Sequence, residues 1–233
     1  MTLTLVVGYA SKDIGFLIAD TLLTPEFALK GDEGPVNGKF HALKIQILNP
    51  DTAIAFSGDS ATAFAIINRT GVLLNSAPES DVCTLLTEAQ KEFGETQDCE
   101  FLVLRIAQDG KKLAHITNAG VLHCERAYIG DPAAYRTLME LTRPPTIPQT
   151  EIIQQPDGSF ISRPYASNAG EIEFQRLSDA MELITNSNRR NTVGAIAGCV
   201  IRVADARRSK RLEYLQTVEG QIPPLRGSRV SRF

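Results

Sequence analysis

Residues 2–20 read TLTLVVGYASKDIGFLIAD. Leu3, Leu5, Val7 and Tyr9 alternate with Thr2, Thr4 and Val6, Ser11-Lys12-Asp13 supplies a turn, and Gly15-Phe16-Leu17-Ile18-Ala19-Asp20 resumes the apolar run. This pattern predicts a β-hairpin at the N-terminus. A second hairpin follows, because Lys44–Leu48 and Thr52–Gly58 flank the turn Asn49-Pro50-Asp51. Between the two, Thr24–Phe40 carries Pro25, Gly31, Gly34, Pro35 and Gly38, the composition of a surface loop with room for function.

Helical periodicity takes over at Asp59–Leu74, through Ala61, Phe64, Ala65, Ile67 and Leu73, and repeats at Asp81–Phe93 through Val82, Leu85, Leu86 and Ala89. Strand character returns at Glu100–Ile106, Lys112–Ile116 and Gly120–Cys124, with Gln108-Asp109-Gly110 as a turn. Ala133–Leu141 and Glu171–Ile184 read as helices. The stretch 143–168 between them holds an inserted hairpin turning at Pro156-Asp157-Gly158-Ser159. Ala195–Val203 and Leu212–Thr217 are the last strands. Strands, two helices, strands, two helices and strands again make an α+β layered sandwich, two stacked sheets covered by helix pairs, and not alternating βαβ units. We expect one domain over 1–206, and over 207–233 a last strand with an Arg-rich tail that is either solvated or a subunit contact.

The chain has 233 residues, 43% hydrophobic and 22% charged, enough for one large core. With 24 Lys+Arg against 27 Asp+Glu the formal charge is -3, which removes the basic excess of a dedicated nucleic-acid binder. No apolar run nears the roughly 18 residues of a membrane span, and Met1–Asp20 lacks a signal peptide's features. The expectation is a cytoplasmic protein without nucleic-acid or membrane partners. Cys83, Cys99, Cys124 and Cys199 are widely spaced and read as four buried reduced thiols, so no metal and no cofactor is expected.

Phosphate loops, dinucleotide fingerprints, zinc-protease helices and nucleophile elbows are absent, and none of His41, His115 and His123 stands beside a Ser or Cys nucleophile. The N-terminus offers another chemistry. A threonine with a free α-amine carries both a hydroxyl nucleophile and a base of pKa about 7.7–8.0. Thr2 becomes N-terminal on loss of Met1, and Thr4 on loss of Met1-Thr2-Leu3. Such a site needs a cation beside the nucleophile, a carboxylate to hold the cation, and backbone N–H groups for the oxyanion. Lys44 and Asp20 are the candidates, brought to the threonine by adjacent strand pairing. Taken singly, Asp20 also suits a strand–turn junction and Lys44 a solvated strand edge. An exposed or pocket-lining lysine contributes little to a core, so Lys44→Ala is expected to abolish hydrolysis and leave the fold intact.

Thr4–Gly8, Lys12-Asp13, Leu17-Ile18-Ala19-Asp20, Lys44-Ile45 and Ile54-Ala55-Phe56-Ser57-Gly58-Asp59 resemble, in order and spacing, the first strands of the proteasome β-subunit type of N-terminal nucleophile (Ntn) hydrolase, including the bacterial proteasome-like peptidases. The resemblance implies a four-layer αββα sandwich, with Asp20 as catalytic aspartate, Lys44 as catalytic lysine and the Ala55 N–H, beside Gly58, as oxyanion donor. Counted back from Asp20, Thr4 has the family's usual nucleophile separation, while Thr2 requires a hairpin two residues longer. Ile129-Gly130-Asp131 is similar to the family's glycine-serine turn with Asp131 for the serine, and Thr192-Val193-Gly194 to its serine-glycine-glycine segment. Asn188, Arg189, Arg190 and Asn191 stand where the family has a supporting aspartate. The implied activity is a threonine peptidase cleaving peptides or unfolded proteins, in a ring of identical subunits served by an ATP-dependent unfoldase. A catalytically silent ring subunit and an amidase acting on small molecules are the alternatives.

Overall fold

Leu5, Val6 and Val7 are each no more than 1% exposed, so the first strand is covered on both faces and not on one. The computed structural model describes residues 4–11, 14–20, 22–23, 40–41, 43–49, 51–77, 80–93, 99–107, 110–142, 150–164, 169–186, 199–203 and 212–216. In chain order the elements are β1 (Leu5–Ala10), β2 (Gly15–Ala19), β3 (Leu22–Leu23), β4 (Phe40–His41), β5 (Ile45–Asn49), β6 (Thr52–Ser57), α1 (Ser60–Ser76) and α2 (Val82–Glu92). There follow β7 (Glu100–Ala107), β8 (Gly110–Thr117), β9 (Gly120–Cys124), β10 (Arg126–Gly130), α3 (Pro132–Leu141), β11 (Thr150–Gln154), β12 (Phe160–Pro164), α4 (Ala169–Asn186), β13 (Cys199–Val203) and β14 (Leu212–Gln216).

The chain is α+β, with two antiparallel five-stranded sheets ordered β10-β1-β2-β13-β14 and β5-β6-β7-β8-β9. The period-two geometry of a strand sends alternate side chains to opposite sides, and here both sides find apolar partners. Val6, Ala10, Leu17 and Ala19 of the first sheet pack against Ile45, Ala53, Ala55, Leu102, Leu104 and Leu113 of the second. The other face of the first sheet, Leu5, Val7, Phe16 and Ile18, meets Ala134 and Leu138 of α3 and Leu177, Ala180 and Met181 of α4. Ile54, Phe56, Phe101 and Val103 of the second sheet meet Ile66, Ile67, Leu85 and Leu86 of α1 and α2. Each fully buried Val, Leu, Ile, Phe or Met among them contributes about 1.5–3 kcal/mol relative to exposure.

Aspartates start three of the helices. The side chains of Asp59, Asp81 and Asp131 accept from the backbone N–H of Thr62, Thr84 and Ala133 at 2.8, 3.0 and 2.8 Å, satisfying donors that the first turn leaves unpaired. The hairpin β11–β12 is present, with Gly158 at φ 81° in its turn. The surface-loop reading of Thr24–Phe40 falls outside the described residues except at Phe40, which pairs with Leu23. Of the C-terminal tail only β14 is described. Three strands are additional to the sequence reading: the short pair β3 and β4, and β10, which pairs with β1 and becomes an edge of the first sheet. Cys83 and Cys99 are free and buried, whereas Cys124 is only partly covered, a correction to the expectation of four buried thiols; Cys199 lies in β13.

Candidate active site

Thr4 immediately precedes β1 and Asp20 immediately follows β2, so the antiparallel pairing of Val6 with Ala19 sets the two residues at one end of the hairpin. There Asp20 continues the ladder by other means. Its N–H donates to Leu5 O at 3.1 Å, and its Oδ1 accepts from Leu5 N–H at 2.9 Å. Lys44 immediately precedes β5 in the other sheet and is fixed from that side, its carbonyl accepting from Phe56 N–H at 3.2 Å. The side chain of Lys44 then crosses between the sheets. Its Nζ donates to Thr4 Oγ1 at 2.9 Å and to Asp20 Oδ1 and Oδ2 at 2.9 and 2.8 Å. Three acceptors match the three N–H donors of an ammonium.

The juxtaposition arises from sheet-on-sheet packing, which corrects the expectation of adjacent strand pairing: Thr4 and Asp20 belong to one sheet's end and Lys44 to the other's. Thr4, Asp20 and Lys44 are 4%, 0% and 1% exposed, so Lys44 is not a solvated edge residue and Asp20 is more than a turn cap. Removing Lys44 would strand a buried carboxylate, which also overturns the expectation that Lys44→Ala leaves the fold undisturbed. Burial holds the Lys44 ammonium below the ordinary 10.5 of lysine, with the Asp20 charge and its hydrogen bond opposing that shift. An ammonium that donates to the Thr4 hydroxyl oxygen is placed to favour negative charge developing there.

Thr4 is gripped from a third side. Asp131 N–H donates to Thr4 O at 2.6 Å, and Gly130, at φ 103°, lies so close that a Cβ there would fall 1.8 Å from Thr4 O. Only glycine fits, by both space and backbone conformation. Asp131 therefore acts on Thr4 through its backbone, while its carboxylate is engaged in capping α3.

Ala55, the expected oxyanion donor, lies inside β6, opposite Ile45 on one side and Leu102 on the other, where strand N–H groups are directed to ladder partners. Gly58, one residue past the strand at φ 103°, has an N–H without a hydrogen-bond partner among the described residues and leads into the Asp59 cap. It stands two residues beyond Phe56, the residue opposite Lys44. Thr2, Thr192 and Gly194, with the segment Asn188–Asn191, lie outside the described residues. The grip of Gly130 and Asp131 depends on β10, whose signal was the β-rich Ala127-Tyr128-Ile129 after the single break at Glu125.

Among the described residues no group of three or more His, Cys, Asp and Glu is arranged to hold a metal ion, and no helix is long and apolar enough to cross a membrane. No protein-family model matches the chain, and no curated protein matches it.

Proposed function

We propose that the chain is a threonine-nucleophile amide hydrolase of the proteasome-like Ntn type, with Thr4 as nucleophile, Lys44 as the cation beside it and Asp20 as the carboxylate that holds Lys44. The observation that carries this reading is the buried contact of Lys44 Nζ with Thr4 Oγ1 at 2.9 Å, completed by both oxygens of Asp20. An ion pair kept under two sheets costs desolvation that an apolar trio would avoid, and its retention against a hydroxyl is what acyl-transfer chemistry requires. The sequence of packed layers, helix pair, sheet, sheet and helix pair, supports the four-layer αββα architecture of that class.

In the proposed reaction Thr4 Oγ1 attacks the substrate carbonyl and its proton passes to the α-amine of Thr4, freed when the bond to Leu3 is cut. Lys44 lowers the cost of the developing alkoxide, and Asp20 keeps the lysine aimed. Gly58 N–H is the proposed oxyanion donor, in place of Ala55. The leaving amine departs, an ester on Thr4 remains, and water releases the acid. Peptides or unfolded proteins are the proposed substrates, and a ring of identical subunits fed by an ATP-dependent unfoldase the proposed setting.

The test is N-terminal peptide mapping of purified protein together with hydrolysis of fluorogenic peptide amides. The reading expects a chain starting at Thr4 and turnover that is lost in Thr4→Ala. An N-terminus still carrying Leu3, with no turnover, would favour the silent ring subunit; turnover of small amides but not of peptides would favour the small-molecule amidase.

A further inference from the structure

Next to the Gly130 grip on Thr4, the side of the sandwich where β9 leads into β10 through the single residue Glu125 is open. The two sheets end at different widths there. β10 is the edge of the first sheet, while β8 and β9 continue the second, and the cross-strand row Leu102, His115, Leu122 runs from the closed core out to a residue 63% exposed. The result is a cavity of about 460 Å³ lined by Glu100, His115, Leu122, Tyr128, Gly130 and Tyr135, among others, within the usual size range of small-molecule sites.

Two polar side chains, His115 and Glu100, face each other in it without a hydrogen bond between them. His115 Nε2 is buried, makes no hydrogen bond and stands 3.8 Å from Glu100 Oε1, outside hydrogen-bond reach. Buried polar nitrogens in native proteins have partners, so this one calls for a group that the chain does not supply. The cavity's other wall is aromatic: the rings of Tyr128 and Tyr135 stack at 3.6 Å and 7°. Arg126 also lines the cavity, but its guanidinium is drawn off to Glu173 on α4 and lies over the Tyr9 ring, so the charge turned to the cavity is that of Glu100.

We propose that this cavity binds a small organic cation, a primary ammonium on an apolar body of about the size of an amino-acid side chain. The ammonium sits between Glu100 and His115, donating one N–H to the carboxylate and one to Nε2, in the imidazole tautomer protonated at Nδ1. The apolar body lies on the tyrosine pair, where a cation also gains from the ring faces. The Glu100 carboxyl has its pKa lowered from 4.5, chiefly by the His115 beside it, so the pocket keeps its charge at neutral pH. Gly130 belongs both to this cavity and to the grip on Thr4, so an occupant is felt at the Gly130 and Asp131 amides.

The experiment titrates benzylammonium, and separately benzyl alcohol, into the ¹⁵N-labelled full chain, following backbone amide and imidazole resonances. No turnover is needed, so the result stands apart from the hydrolase reading, and Thr4→Ala serves equally well. Benzylammonium should shift the Gly130 and Asp131 amides and His115 Nε2, and benzyl alcohol or the variant Glu100→Gln should bind about tenfold more weakly. Equal affinity for the two probes, unchanged affinity in Glu100→Gln, or a cavity that holds water and takes up neither probe would overturn the proposal. The two-probe comparison on the unaltered chain decides even if Glu100→Gln fails to fold.

Discussion

Two ion pairs of this chain share a distance and differ in almost everything else. Lys44 Nζ meets Asp20 at 2.8 Å with both side chains at most 1% exposed, while Arg105 Nη1 meets Asp81 at 2.8 Å with side chains 43% and 50% exposed. The surface pair forms in water, where Coulomb attraction is weak and little is lost if it breaks. The buried pair has surrendered its hydration, so each member depends on the other and on Thr4. Equal geometry thus describes a decoration in one place and a committed electrostatic unit in the other. The second kind, placed on a hydroxyl, is the arrangement from which catalysis is proposed.

The sharpest way to break this comparison is to remove one buried partner. Lys44→Met should abolish any hydrolysis and destabilise the fold by about 3–5 kcal/mol, because the buried Asp20 carboxylate loses the cation that compensates it. Adding Asp20→Asn should recover much of the stability and none of the activity, since the carboxamide oxygen can still accept from Leu5 N–H. Urea unfolding of the single and double variants checks this; additive losses would show that the pair is not coupled.

Next in size is Gly130→Ala. The new Cβ must displace the Thr4 carbonyl, and a left-handed alanine alone costs about 1–3 kcal/mol. Turnover should fall more than stability does, as Thr4 shifts against Lys44; a variant with normal kcat would remove Gly130 from the positioning of the nucleophile.

The pH dependence follows from the lowered pKa of Lys44. Between that lowered value and the 10.5 of an unfolded lysine, the unfolded chain holds a proton that the native chain has shed, so this lysine makes stability rise with pH across that window. Lys44→Met should flatten the rise. Glu100, with its pKa lowered chiefly by His115, adds stability that is present above 4.5 and lost as the pH falls through its folded value. Unfolding curves of the parent, Lys44→Met and Glu100→Gln at a series of pH values separate the two contributions. The smallest expected effect is that of Arg69→Ala, which breaks an exposed pair with Glu92 and should cost under about 1 kcal/mol. A larger loss would undo the contrast between surface and buried pairs.

The layered α+β order is legible because its signals are local: period-two runs such as Gly15–Ala19, and an aspartate ahead of each of α1, α2 and α3. Thr4, Asp20 and Lys44 are legible as chemistry but not as geometry. Strand pairing explains how Thr4 meets Asp20, whereas Lys44 arrives from the facing sheet, and stacking between sheets leaves no periodic trace. β10 is hidden for a related reason. It is a short edge strand, set off from β9 by one residue and half exposed, so its apolar content is too slight to mark it. The choice between Ala55 and Gly58 as the proposed oxyanion donor is likewise not legible in the sequence, because only register reveals which N–H groups face a ladder.

The central claim, that Thr4 is a nucleophile activated by Lys44 and Asp20, is tested most directly by treating the protein with a β-lactone, an electrophile that acylates activated hydroxyls, and mapping the adduct by tandem mass spectrometry. The account predicts one acyl group on Thr4 Oγ1, absent in Lys44→Met and in Asp20→Asn. Acylation of any other residue, an adduct on Thr4 that persists without Lys44, or no adduct on a chain that begins at Thr4 would contradict it.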